Sequence, residues 1–400
     1  MAVAPTPDYE RLASSVADAD ERSSSSPASQ ARQDADAAAF VHVGDRRDPD
    51  FSYCAGPVRP ECRSAFVLTD DEAVLCVPGA IADRARRAFP GDDVRSFDPD
   101  RRHPGQAAAD VLDERGVEGT VLTPPTIGHD AALYVERAGY ELASTDAVAR
   151  ARERKTDAEL ARIERAQAIA ATGIDRARTV LGAATVDGDR LVRDGETLTT
   201  ERLRREIDAA MANAGGDPAR NTRVGVDGPP TDCSLQDADA VPLRPAATIT
   251  VAVAPREPAG YHGRLARTLV VDGDGGWERR ANVAVRNSRE AALAELAEGV
   301  GTASASVRGE IVAELGAYGF DAGPESEIVV DELGGGVGLE RREAPRLSTG
   351  RELPAGATLA IRPGLSDPER GHVELADIAV VREGDVELLG DCSTSMAVKK

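Results

Sequence analysis

The order of helices and strands in the C-terminal two-thirds of the chain limits its fold more than any other feature. Thr156-Asp157-Ala158-Glu159 has capping-box spacing, in which the threonine oxygen and the glutamate satisfy free amides at a helix start. Leu160, Ile163, Ala166, Ala170, Ile174, Ala177 and Leu181 then recur at helical spacing and give that helix one apolar face. A second helix is expected over 200–214, with Leu203, Ile207 and Met211 inward and Gly215-Gly216 as its stop. Strands follow at 248–253, alternating Ile249, Val251 and Val253 on one face, and at 267–271. The arrangement then repeats: helices near 289–298 and 304–318, then strands near 327–331, 358–361, 373–381 and 386–389. Two successive runs of helix, helix and antiparallel strands predict two similar halves, packed as one sheet backed by helices.

What precedes them reads differently. Residues 1–34 are acidic and rich in Ser and Ala, a composition that buries too little apolar surface to offset chain entropy. They are expected to be a flexible tail, with a short docking helix over Tyr9–Val16. From Ala38 the run Ala-Phe-Val-His-Val opens an α/β domain over 35–145. Its hairpin joins 64–69 to 73–77, its helices fall at 81–89, 107–115 and 130–138, and a strand falls at 120–123. Residues 146–155 are expected to link it to a second domain over 156–400, two domains being the natural division of 400 residues.

Composition narrows the functional classes. Hydrophobic content is 41%, and no apolar run approaches the ~18 residues of a membrane span, so no membrane partner is expected. No secretory signal opens the chain, which points to the cytoplasm. The five cysteines form no Cys-x-x-Cys pair and read as free thiols. Net charge is −21, and the only lysines are Lys155, Lys399 and Lys400. Such an acidic, lysine-poor chain resembles the proteins of salt-in, haloarchaeal-type cells, whose surfaces stay hydrated in brine. The absence of a basic stripe argues against nucleic acid.

Residues 331–348 read Asp-Glu-Leu-Gly-Gly-Gly-Val-Gly-Leu-Glu-Arg-Arg-Glu-Ala-Pro-Arg-Leu-Ser. This resembles the Gly-His-Gly-x-Gly-Leu…His-Glu-x-Pro stretch of the pita-bread metallopeptidases, the family of aminopeptidase P, prolidase and creatinase. Both histidines are missing: Gly335 stands at a metal-ligand position, and Arg342 where a histidine meets the reacting carbonyl. Other segments carry the likeness along the chain. Arg154-Lys155-Thr156 and the helix after it resemble the family's Lys-Ser-x-x-Glu-Ile, and Asp48–Gly56 resembles a segment near the start of its N-terminal domain. The resemblance implies an α/β N-terminal domain followed by an α+β pita-bread domain with two pseudo-symmetric halves.

Active members of that family hold two divalent metals, such as manganese or cobalt, with two aspartates, a histidine and two glutamates. The flanking residues fix each position here. Gly260-Tyr261-His262-Gly263-Arg264-Leu265-Ala266-Arg267-Thr268 resembles Gly-Tyr-x-x-Asp-x-Thr-Arg-Thr, which puts Arg264 at the bridging aspartate. The earlier aspartate falls on Ala252, or on Val253 if the turn has no insertion. Thr358 to Gly364 resembles Thr-x-Glu-Pro-Gly, so Arg362 replaces one glutamate; His372 to Asp377 resembles Gly-Val-Arg-Ile-Glu-Asp, so Ala376 replaces the other. The substrate-side histidine should follow Gly228-Pro229-Pro230, where Ser234 or Leu235 stands. With Gly335, the five positions Ala252, Arg264, Gly335, Arg362 and Ala376 offer no donor, so neither metal nor catalytic residue is expected.

An arginine offers only hydrogen-bond donors and stays protonated, so Arg264, Arg342 and Arg362 cannot bind a divalent ion. One reading pairs them with Glu343, Glu374 or Asp377, replacing the lost metal charge. Another makes them, with His262, a site for an anion or a peptide carboxylate. A displaced metal site of His262, His372, Glu374 and Asp377 is a third. His42 reads as a packed core histidine, His103 and His129 as loop or helix-start residues, and Cys233 as the thiol nearest the cleft. The preferred function is a non-catalytic relative that keeps its cleft for a peptide, a small carboxylate or a partner chain. The alternatives are a metal-free creatinase-like hydrolase using His262, and an Xaa-Pro peptidase with a rebuilt site. Family members often dimerise, so a homodimer is also expected.

Overall fold

The computed structural model describes residues 9–22, 37–230, 240–320 and 333–398. The expected strand at 327–331, Cys233, and the Ser234 and Leu235 positions lie outside them. The chain divides into two compact units, Met1–Arg152 and Glu153–Lys400. Among the described residues no helix is long and apolar enough to cross a membrane.

The first unit is built on a mixed six-stranded sheet. Its strands are β1 (Ala37–Gly44), β2 (Ser64–Leu68), β3 (Ala73–Pro78), β4 (Asp93–Phe97), β5 (Thr120–Thr123) and β6 (Glu141–Ser144), in the order β4-β3-β2-β1-β5-β6. β2 and β3 are buried along their whole length, which is why their apolar runs do not alternate. Helix α1 (Tyr9–Arg22) runs further than its expected first two turns. It docks by burying Leu12 and Val16, by stacking Tyr9 on Phe66, and by donating the Tyr9 hydroxyl to Cys54 O at 2.7 Å. Helix α2 (Pro49–Ala55) starts at an Asp48 cap, and Asp48 also meets the buried His42 at 2.9 Å. His103 caps helix α4 (Pro104–Glu114), which follows the short α3 (Ala82–Ala88). His129 opens helix α5 (His129–Arg137). The stretch expected as a linker carries helix α6 (Ala147–Glu153), anchored by buried Ala147, Val148 and Ala151.

The second unit begins with the capping box. Thr156 Oγ1 accepts from Glu159 N at 3.3 Å, and Glu159 Oε2 accepts from Thr156 N at 2.8 Å, opening helix α7 (Asp157–Gly182). A small sheet of β7 (Thr185–Asp187), β8 (Arg190–Arg193) and β9 (Glu196–Thr197) leads to helix α8 (Thr200–Asn213). Strands β10 (Arg223–Val226), β11 (Ile249–Val253) and β12 (Leu265–Leu269) follow. The pattern repeats with α9 (Trp277–Leu296), α10 (Ser304–Ala317), β13 (Gly334–Gly336), β14 (Glu343–Arg346), β15 (Thr358–Ile361), β16 (Gly364–Asp367), β17 (Gly371–Arg382) and β18 (Asp385–Leu388).

The large sheet has the order β10-β11-β12-β17-β15-β13-β14, with β16 and β18 also paired to β17. Its two sides have separate cores. α7 and α8 pack Ile174, Leu181, Leu203, Ile207 and Met211 against Ile249, Val251 and Val253. α9 and α10 pack Val285, Leu296, Val307 and Ile311 against Leu359, Ile361, Val373 and Leu375. This is the expected pair of similar halves.

Helix α9 starts twelve residues ahead of expectation, because its first turns bury small side chains, Ala281, Ala284 and Ser288, which leave little apolar signal. β12 starts two residues early, in the register Ile249↔Leu269 to Val253↔Leu265. β13, three glycines with no intrinsic strand preference, is a strand only because β14 and β15 flank it.

Candidate binding cleft

The centre of the sheet positions the site. Ala252 of β11 pairs with Ala266 of β12, which pairs with Ala376 of β17, so three alanines lie in one row across three strands. Arg223 of β10 extends the row through its pairing with Ala252. These residues floor a cleft of ≈ 390 Å³, open-solvent space included, whose rim carries Arg264, Arg341, Arg342 and Arg362. Four of the five expected positions (Ala252, Arg264, Arg362, Ala376) therefore converge, with Val253 beside them.

Arg264 is held from both sides. Its backbone N–H donates to Gln167 Oε1 at 2.8 Å and its carbonyl accepts from Gln167 Nε2 at 3.1 Å, which clamps the start of β12 to α7. Its guanidinium then reaches the turn before β14, donating to Arg341 O at 2.7 Å. Gly263 lets the chain come this close to the helix: a Cβ there would sit 2.4 Å from Ala166 O.

Arg362, just past β15, forms a two-pronged pair with Glu374 of β17, Nε to Oε1 at 2.6 Å and Nη2 to Oε2 at 2.7 Å. His372 Nε2 lies 3.3 Å from the second oxygen. Burial alone would raise the Glu374 carboxyl, but the hydrogen bond from His372 and the charge of Arg362 outweigh it and hold the group at about 2. Glu374 is the one carboxylate lining the cleft among the described residues, and both of its oxygens are engaged.

Other expected partners lie elsewhere. Glu343 pairs with buried Lys155 at 2.6 Å. Asp377, three residues from Glu374, points to the opposite face of β17, where Arg267 and Arg289 of α9 each meet it at 2.6 Å. His262 is outside the cleft lining. Its N–H donates to Gly338 O at 2.8 Å, its ring packs on Ala254 O, and burial lowers its pKa to about 4. His262, His372, Glu374 and Asp377 thus do not converge as a displaced site, because strand alternation turns Asp377 away. Among the described residues no three His, Cys, Asp or Glu side chains group as a cation site. Gly335 also falls outside the lining, in β13 between Arg346 and Ala360.

A pair of divalent metals does not fit these residues. Among the described residues the lining offers guanidinium donors, alanines and a single carboxylate already paired with Arg362. Arg223 and Arg341 are cleft residues that sequence reading did not single out. Only strand register brings Arg223 to the row, and Arg341 neighbours the Arg342 that the motif located.

The architecture defines a class: a pita-bread domain of two pseudo-symmetric halves that follows a smaller α/β domain in the chain. The model of metallopeptidase family M24 matches residues 161–383, more than half of the chain, and the protein belongs to that family. Among solved structures it is similar to an X-Pro aminopeptidase from Thermotoga maritima, with 14% identity, TM-score 0.75, and coverage of 92% of this chain and 100% of that one. It is similar to the dipeptidase PepE from Mycobacterium ulcerans, with 21% identity, TM-score 0.72, and coverage of 99% and 100%. The N-terminal domain of FACT complex subunit SPT16 from chickpea, Cicer arietinum, also matches, with 15% identity, TM-score 0.68, and 97% of each chain covered. No curated protein sequence matches. At these identities the structural matches establish the fold.

Proposed function

We propose that this M24 protein does not carry out the two-metal hydrolysis of Xaa-Pro peptides and uses the cleft at its sheet centre to bind a ligand. The observation that carries this reading is the Arg362–Glu374 pair, in which a guanidinium at a former ligand position occupies the one carboxylate of the lining among the described residues. An arginine-rimmed cleft repels a divalent cation and complements an anion. A pita-bread domain within a complex subunit, as in the chickpea SPT16 match, is compatible with a binding role. A creatinase-like route finds less support, since its candidate proton carrier, His262, is buried away from the lining.

The test combines elemental analysis of protein purified in high salt with hydrolysis assays on Xaa-Pro dipeptides and creatine, with and without added manganese or cobalt. The expected result is no stoichiometric metal and no turnover. Stoichiometric metal with dipeptide turnover would restore the peptidase reading. Metal-free turnover abolished by His262→Ala would establish the creatinase-like one.

A further inference from the structure

On its β12 side, the stretch of β17 that carries the cleft carboxylate is not held by strand pairing. β12 and β17 join the two halves of the large sheet, and their backbones pair over two residues, Ala266↔Ala376 and Arg267↔Leu375. Continuing that register would set Thr268 opposite Glu374. A side chain stands in for the missing ladder: the Thr268 hydroxyl accepts from Glu374 N at 2.9 Å and is placed to donate to Glu374 O at 3.3 Å. Two residues back along β17, His372 N donates to Thr248 Oγ1 at 3.1 Å, and His372 O lies 3.3 Å from Thr250 Oγ1. The Thr250 and Thr268 hydroxyls meet at 2.9 Å.

Thr250 belongs to β11, and β12 lies between β11 and β17 in the sheet. A β11 side chain can meet the β17 backbone only where the start of β17 has left the sheet plane and crosses its cleft face. Alternation agrees, since Thr250 and Thr268 lie two residues from Ala252 and Ala266, on the side that floors the cleft. β16 pairs with this same stretch, Gly364↔Glu374 to Asp367↔Gly371, so the two strands form an arm laid from one half onto the other. The seat is buried and close: Thr248, Thr250, Thr268, His372 and Glu374 are each no more than 5% exposed, and a Cβ on Gly371 would sit 2.6 Å from Thr248 Oγ1. A buried backbone N–H without an acceptor is costly, so at His372 and Glu374 the threonine hydroxyls do what a neighbouring strand does elsewhere.

We infer that Thr248, Thr250 and Thr268 are positioning residues for the cleft wall: they seat the β16–β17 arm and through it fix where Glu374 and its partner Arg362 stand. Three residues on, at Asp377, the strand is pinned by Arg267 and Arg289. The wall is therefore held by charge at one end and by hydroxyls at the other, and removing hydroxyls loosens it at Glu374. The seat matters to function only through the binding reading of the cleft, on which this role rests; its contacts require no ligand.

Hydrogen exchange of the full chain at neutral pH, resolved to single amides by mass spectrometry with electron-transfer fragmentation, tests this. Thr268→Val keeps the side-chain shape and removes the acceptor of Glu374 N; Thr248→Val does the same for His372 N. Each should speed exchange of its own amide about tenfold or more, while Ala379 and Val380, paired on both sides by β15 and β18, stay within about twofold of the parent. Thr268→Ser should restore the parent rate at Glu374. A second readout is one that general loosening does not move: the unfolding penalty of Glu374→Gln, measured in urea, should fall by about half or more in the Thr268→Val background, because a displaced carboxylate has less to lose. Exchange of Glu374 N at the parent rate in Thr268→Val would overturn the inference, as would equal acceleration at Ala379 and Val380, failure of serine to rescue, or simple addition of the two penalties. Should Thr268→Val fail to fold, Thr248→Val and the His372 amide decide in the same way. Metal-dependent turnover would sink the binding reading and leave these exchange rates as expected, whereas unchanged rates would sink the seat alone.

Discussion

The two faces of β17 solve the burial of a carboxylate in different ways. On the helix side, Asp377 meets Arg267 and Arg289, and Arg267 spends its remaining donors on the carbonyls of Ala266, Ala376, Cys392 and Ser393. That cluster is closed: it is buried and stitches β12, β17, α9 and the C-terminal segment together. On the cleft side, Glu374 meets Arg362 and His372, and further arginines stand around open space. One face uses arginine as mortar, the other as lining. The same residue type therefore predicts opposite responses to substitution on the two sides.

The largest effect is expected at the closed face. Arg267→Leu removes one partner of a buried pair and strands a carboxylate and several carbonyls, which should cost about 3–5 kcal/mol in urea unfolding at constant salt. A cost under about 1 kcal/mol would mean that the cluster is not structural, and the contrast between the faces would dissolve.

Next comes the pH response of Glu374. Its folded pKa, about 2, lies below the ordinary glutamate value of 4.5, so its stabilisation is present above the ordinary value and lost as pH falls toward 2. Glu374→Gln should therefore be less stable than the parent by roughly 3 kcal/mol at neutral pH, with the gap closing through that acidic window. A gap that stayed constant through that window would detach the effect from ionisation of this group.

Gly263→Ala tests how tightly β12 is held to α7. The added methyl meets Ala166 O well inside van der Waals distance, so a cost of about 1–3 kcal/mol is expected. Because Arg264 follows directly, the variant should also disturb any ligand binding at the rim.

Local chemistry was legible wherever its partners lie close in sequence. The capping box at Thr156, the apolar stripe of α7 and the alternation of β11 needed only neighbours three, four or two residues apart. The cleft positions were legible through flanking anchors such as Gly260-Tyr261 and Pro363-Gly364, and four of them converge. Pairings set by topology were not legible. Lys155 finds Glu343 across 188 residues and Arg267 finds Asp377 across 110, and no short-range pattern separates those carboxylates from Glu374. Arg223 escaped notice because only the register of β10 against β11 makes it a cleft residue. Gly335 has no side chain to contribute to a lining, and its backbone pairs with β14 and β15.

The smallest expected effect separates the faces most cleanly. Arg342 is exposed at the rim of the cleft, where water screens its charge. Arg342→Gln should shift unfolding by no more than about 0.5 kcal/mol, since an exposed substitution away from the core removes little that water cannot replace. Set beside Arg267→Leu, this asks whether the cleft arginines are kept for the fold or for something that enters the cleft. If the rim variant destabilised the chain as strongly as the core variant, both sets would be mortar. If it leaves the fold intact, the rim and core arginines differ in how much of the fold depends on them.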